Sequence, residues 1–104
     1  MSQMEIERRQ DEAEAYIRSV VMKELCTVME KTHLTPMAVL RLASRSIGSI
    51  YREMAEAHSG IDPCPCGWRP NLESDVELLG MALMTACEHQ RTAELRTMRV
   101  AGNA

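Results

Sequence analysis

Phenylalanine is missing from the sequence, and one Trp with two Tyr leaves aromatic residues at only 3%. Strands draw heavily on aromatic and β-branched side chains, so this poverty argues against sheet-based folds. No apolar run approaches the roughly 20 residues needed to span a bilayer. The opening stretch Met1-Ser2-Gln3-Met4-Glu5-Ile6-Glu7-Arg8-Arg9 lacks the apolar segment of a secretory signal. Basic excess is also absent: 12 Lys and Arg against 15 Asp and Glu give a formal net charge of −3. A dedicated nucleic-acid binder usually carries the opposite balance, so nucleic acid is a disfavoured partner. Gly-rich phosphate loops, His-Glu-x-x-His and the nucleophile elbow do not occur, and no internal repeat or low-complexity tract is found. The chain is therefore expected to be cytoplasmic and not an enzyme. Its four Cys are expected as thiols or metal ligands rather than as a disulfide framework.

What is present points to helices. Ala, Leu, Met, Glu and Arg are plentiful, and nine Met replace the missing aromatics. Three periodic segments stand out. In the first, about Ser2 to Thr32, Ser2 and Glu5 have the form of a capping box. Ile6, Ala13, Ile17, Val20, Val21, Leu25 and Val28 then share one broad face, and the charged stretch before Ala13 is expected to be solvated or frayed. The second segment begins at Thr35-Pro36, an N-cap followed by proline at the first helical position. Leu40, Ala43, Ile47, Ile50, Met54 and Ala57 recur by threes and fours, the spacing of a coiled-coil seam, and Gly60 follows as a C-terminal cap. The third is expected to start near Asn71 or Ser74, where Ser74 and Glu77 suggest another capping box. Its stripe is Leu72, Val76, Leu79, Leu83, Ala86, Gln90 and Ala93.

The expected architecture is an all-α, three-helix, up-down-up bundle occupying residues 1–96 as one domain, with a disordered tail over 97–104. At 1.5 Å per residue the first helix would run about 45 Å and the second about 33 Å. The first must overhang or pack against another copy of the chain, which makes a homodimer through helix 1 an expectation.

Between the second and third helices lies Ile61-Asp62-Pro63-Cys64-Pro65-Cys66-Gly67-Trp68-Arg69-Pro70-Asn71-Leu72, holding three of the four Pro, the only Trp and two Cys. Helix and central strand are both blocked there, so a structured loop is expected. A Cys-x-Cys loop can offer both sulfurs to one zinc ion, with His58 as third ligand and Cys26, His33 or Cys87 as candidates for a fourth. Cys87 and His89 point about 200° apart on a helix and cannot form a second pair. Cys87 reads more simply as a small core residue. Two further readings of the loop are mechanical, with Ile61, Trp68 and Leu72 capping the bundle, and redox, with the two thiols oxidising together. The stretch Cys64-Pro65-Cys66-Gly67 resembles the start of the short zinc-binding tails called SEC-C motifs. Those continue with a Gly/Lys-rich stretch and a second metal-binding pair, whereas a helical segment follows here. The resemblance ends after four residues and carries no function over.

Two surface features complete the candidates. Arg41, Arg45 and Arg52 fall within about 40° of one another on the second helix, away from its apolar seam. Met22, Met81 and Met84 lie off the centres of their stripes, where a flexible thioether can serve a varied partner. Together they lead to the expectation of a small regulatory or adaptor protein that binds another protein. A zinc-binding or thiol-sensing domain built on His58, Cys64 and Cys66 is the first alternative. In that reading zinc is the cofactor; otherwise none is expected. A DNA-binding helical protein is the second alternative, weakened by the long connection before the third helix and by that helix's acidic start.

Overall fold

A computed structural model of the protein describes residues 2–61 and 64–102, with side chains described as far as His89. The chain is all-α. Its order is α1 (Gln3–Thr32), α2 (Pro36–Ala57) and α3 (Leu72–Gly102), with no strand among the described residues. The tail expected over 97–104 falls outside the described side chains. No helix among the described residues is long and apolar enough to cross a membrane.

The helix ends follow from local chemistry. Ser2 caps α1, its Oγ accepting the Glu5 N–H at 3.2 Å. Charged residues then fill the first turns, and the helix runs through them from Gln3 with every side chain exposed up to Glu24. Lys31 stands in the last turn, where the helix dipole favours a cation. His33 closes the helix in the left-handed region at φ 60°, one of the few side chains that tolerate it, and its N–H reaches the Met29 carbonyl at 2.9 Å. Two residues later Thr35 opens α2 by accepting the Ala38 N–H on Oγ1 at 3.2 Å, as its place before Pro36 leads one to expect.

α3 starts at Leu72, so its cap is Asn71, and Ser74 lies inside the first turn instead of preceding it. The Asn71 Oδ1 accepts the Ser74 N–H at 3.1 Å, while Asp75 reaches back to accept the Asn71 N–H at 3.1 Å. Asparagine won over serine because Pro70 fixes the backbone just ahead of it, and the reciprocal pair satisfies two free N–H groups at once. Asn71→Ala is expected to cost about 1 kcal/mol of stability, measured by chemical denaturation.

The chain divides into two units, Met1–Glu53 and Met54–Ala104. In the first, the shielded side chains are Leu25, Thr27 and Met29 near the end of α1, Ala38, Val39 and Ala43 near the start of α2, and Tyr51 farther along α2. All but Tyr51 cluster in sequence around the tight 33–35 connection. Among the described residues Val39 is the one buried hydrophobic residue, at 3% exposure. In the second unit the partly shielded residues are Ala55, His58, Cys64, Trp68, Pro70 and Asp75. They lie in the last turn of α2, the connecting loop and the first turn of α3.

The seam along α2 therefore does not form a core within the chain. Leu40, Ile47, Ile50 and Met54 are all exposed, as are Ile6, Ile17, Val20, Val21 and Val28 on α1 and Leu72, Val76, Leu79 and Leu83 on α3. The periodicity is the one expected, but the residues it brings onto one face are open to solvent. Cys87 is likewise exposed and not a core residue of the chain, because the stripe it accompanies is itself uncovered.

Candidate functional site

The connection between α2 and α3 spans residues 58–71 and contains the densest chemistry in the chain. It begins where α2 ends. The His58 N–H still reaches the carbonyls of Met54 at 3.2 Å and Ala55 at 3.1 Å, so the residue is held by the last helical turn. Ser59 follows with its Oγ donating to the Ala55 carbonyl at 2.7 Å. Gly60, three residues past the end of α2, takes φ +129°, a conformation that L side chains rarely adopt.

Cys64 to Gly67 form a turn closed by the Gly67 N–H donating to the Cys64 carbonyl at 3.2 Å. Pro65 supplies a fixed φ at the second position of that turn, and Gly67 leaves it at φ +84°, where a Cβ would be strained. The turn matters because it brings two thiols two residues apart into one neighbourhood. One ligand atom from each of His58, Cys64 and Cys66 can be chosen so that all three lie within 4.8 Å of one another. His58 and Cys64 are half-buried, and Cys66 is exposed.

The imidazole is oriented from two sides. Its Nδ1 lies 2.7 Å from the Met54 carbonyl oxygen. A carbonyl can only accept, so Nδ1 donates to it, and in the neutral ring this leaves the lone pair on Nε2. The Trp68 ring meets the imidazole edge-on, with centroids 4.9 Å apart and planes at 65°. The Cys64 thiol is pulled below its ordinary value, first by hydrogen bonds from the Cys66 backbone and side chain. Partial burial opposes this, and His58 adds a smaller lowering through a hydrogen bond and its charge. All four thiols of the chain are free cysteines.

Among the described residues the group closes at three. Of the residues expected as a fourth ligand, Cys87 does not join it. Cys87 lies fifteen residues into α3 from Leu72, about 22 Å along the helix axis, and Cys26 and His33 belong to the first unit. The mechanical reading of the loop needs correction too. Trp68 is half-buried, but Ile61 is 97% exposed and Leu72 also faces solvent, so the three do not act as a lid. Trp68 instead packs on the candidate ligand His58. The Met54 carbonyl, which fixes the imidazole tautomer, has no signal in residue type; only its position four before His58 could have suggested it.

Arg41, Arg45 and Arg52 are exposed along α2, and Met22, Met81 and Met84 are exposed on α1 and α3. Exposure is what contact with a partner requires, and many of their neighbours share it. No protein-family model, no curated protein and no solved structure matches the chain.

Proposed function

We propose that this protein works by protein–protein association and that the first partner of its exposed helical faces is a second copy of itself. The observation that carries this reading is the pairing of well-capped helices with a single buried hydrophobic side chain among the described residues, Val39. Burying one valine is worth roughly 1.5–3 kcal/mol. Fixing the backbone of one or two residues costs about as much.

Single exposed apolar residues are ordinary on any surface, but the twenty-three large ones among the described residues, all but Leu34 and Ile61 on the three helices, exceed that pattern. Because the uncovered faces occur in both units, their cover has to be constitutive. A second copy is made with the first and in equal amount. Apolar seams repeating by threes and fours are also self-complementary under two-fold symmetry, as coiled-coil packing requires. The small net charge of −3 opposes such pairing only weakly.

Pairing through the α2 seam would leave Arg41, Arg45 and Arg52 turned about 120–160° away from it on the helical wheel. That stripe, with the exposed Met22, Met81 and Met84, is then available for the regulatory or adaptor role, receiving an acidic surface of another protein. Light scattering coupled to size exclusion tests the self-association directly. A mass of at least twice 11.7 kDa is expected. A helical, cooperatively folded particle of 11.7 kDa would reject the reading.

A further inference from the structure

We infer that His58, Cys64 and Cys66 form a binding site for one zinc ion per chain, with the fourth coordination position left to water or another external ligand. The spacing is the first argument. Two thiolates on one tetrahedral zinc sit about 3.8 Å apart, given Zn–S bonds near 2.3 Å. One donor atom from each of the three residues already lies within 4.8 Å of the others, so closure onto an ion is a matter of small side-chain movements.

The second argument is orientation. A zinc-ligating histidine commonly donates its other ring N–H to a carbonyl or carboxylate, and here Nδ1–H is donated to the Met54 carbonyl at 2.7 Å. Nε2 is thereby left as the ligand atom, and Trp68 against the ring restrains its rotation. The site is thus partly organised by contacts that do not involve a metal.

The third argument is donor chemistry. Two sulfurs and one imidazole nitrogen suit zinc and exclude magnesium and calcium, which take oxygen ligands. Binding displaces the two thiol protons to solvent and places two thiolate charges against one divalent ion, so the protein-bound centre is neutral. The lowered Cys64 thiol is consistent with this exchange but is not needed for the assignment. A disulfide between Cys64 and Cys66 competes poorly, because one intervening residue forces the bond away from its preferred dihedral.

The test uses the full chain, reduced and free of chelator, with Zn²⁺ and Co²⁺ as the probes. Native mass spectrometry with Zn²⁺ is expected to show one ion per chain. Co²⁺ is expected to give sulfur-to-cobalt charge-transfer absorption together with the intense visible bands of tetrahedral coordination. Cys64→Ser and Cys66→Ser should each halve the charge-transfer intensity. They should also weaken binding by more than the roughly 10–100-fold that losing an outer-shell partner costs. Cys26→Ser and Cys87→Ser should leave both unchanged.

Should a loop variant fail to fold, the ion count and cobalt spectrum of the unaltered chain still decide the matter. Overturning results are absence of stoichiometric metal, octahedral cobalt bands without charge transfer, loss of the bands in the Cys26 or Cys87 variant, or one ion shared by two chains. The same mass spectrum reports subunit number, so failure of the metal site and failure of self-association are read separately.

Discussion

Ile47→Glu is expected to leave a chain of 11.7 kDa that no longer self-associates and has lost most of its helical circular dichroism. Ile47 lies at the middle of the α2 seam, between Leu40 and Met54, and is 57% exposed in the single chain. If the chain acted alone, a carboxylate there would sit in water, and surface substitutions of that kind shift stability by about 0.5 kcal/mol or less. Glutamate is in fact the better helix former, so an isolated chain would be unchanged or slightly stabilised. In a self-associated form the same carboxylate is buried against an apolar seam. Removing an unpaired charge from water costs several kcal/mol, and symmetry places one on each copy. A typical folding stability is about 5–15 kcal/mol, so the penalty consumes most of it. The two outcomes lie far apart. Ser49→Glu, also exposed but on the opposite side of α2, serves as the control and is expected to keep the parent mass.

Dilution is the second large effect. When folding and pairing are one process, each tenfold dilution lowers the stability of a dimer by about 1.4 kcal/mol. For a dimer of this size the melting temperature should fall by roughly 3–6 °C per decade of concentration. Melting followed by circular dichroism over three decades gives a shift well above experimental error. A melting temperature that does not move with concentration would mean that each chain carries its own stability, contrary to the distribution of buried residues.

Helix positions were legible in the sequence because they depend on local chemistry. Ser2, Thr35 and Pro36 act where their side chains lead one to expect, and Gly60 and Gly67 stand where the chain takes positive φ. Of the two starts expected for α3, near Asn71 or Ser74, the chain takes the first, two adequate caps lying three residues apart. Pro70 and the reciprocal Asp75 contact decide between them. The seams were legible as faces, but periodicity cannot say whether a face meets its own chain or another, and so Leu40, Ile47 and Leu83 fell outside any internal core. At the loop, residue type brought out His58, Cys64 and Cys66. What turns them into a ligand set is a backbone carbonyl and a tryptophan edge, and neither contact has a compositional signature.

The edge contact between Trp68 and His58 also has an optical consequence. Trp68 is the only indole in the chain, so emission excited at the red edge, beyond the two tyrosines, comes from this loop alone. The helices melt without contributing to it. Emission therefore isolates events at the imidazole, while circular dichroism follows the helices, and the two signals separate if the loop loosens before the helices do. A protein with a conventional aromatic core would blend both into one curve; here the scarcity of aromatic side chains supplies a single-site reporter without labelling.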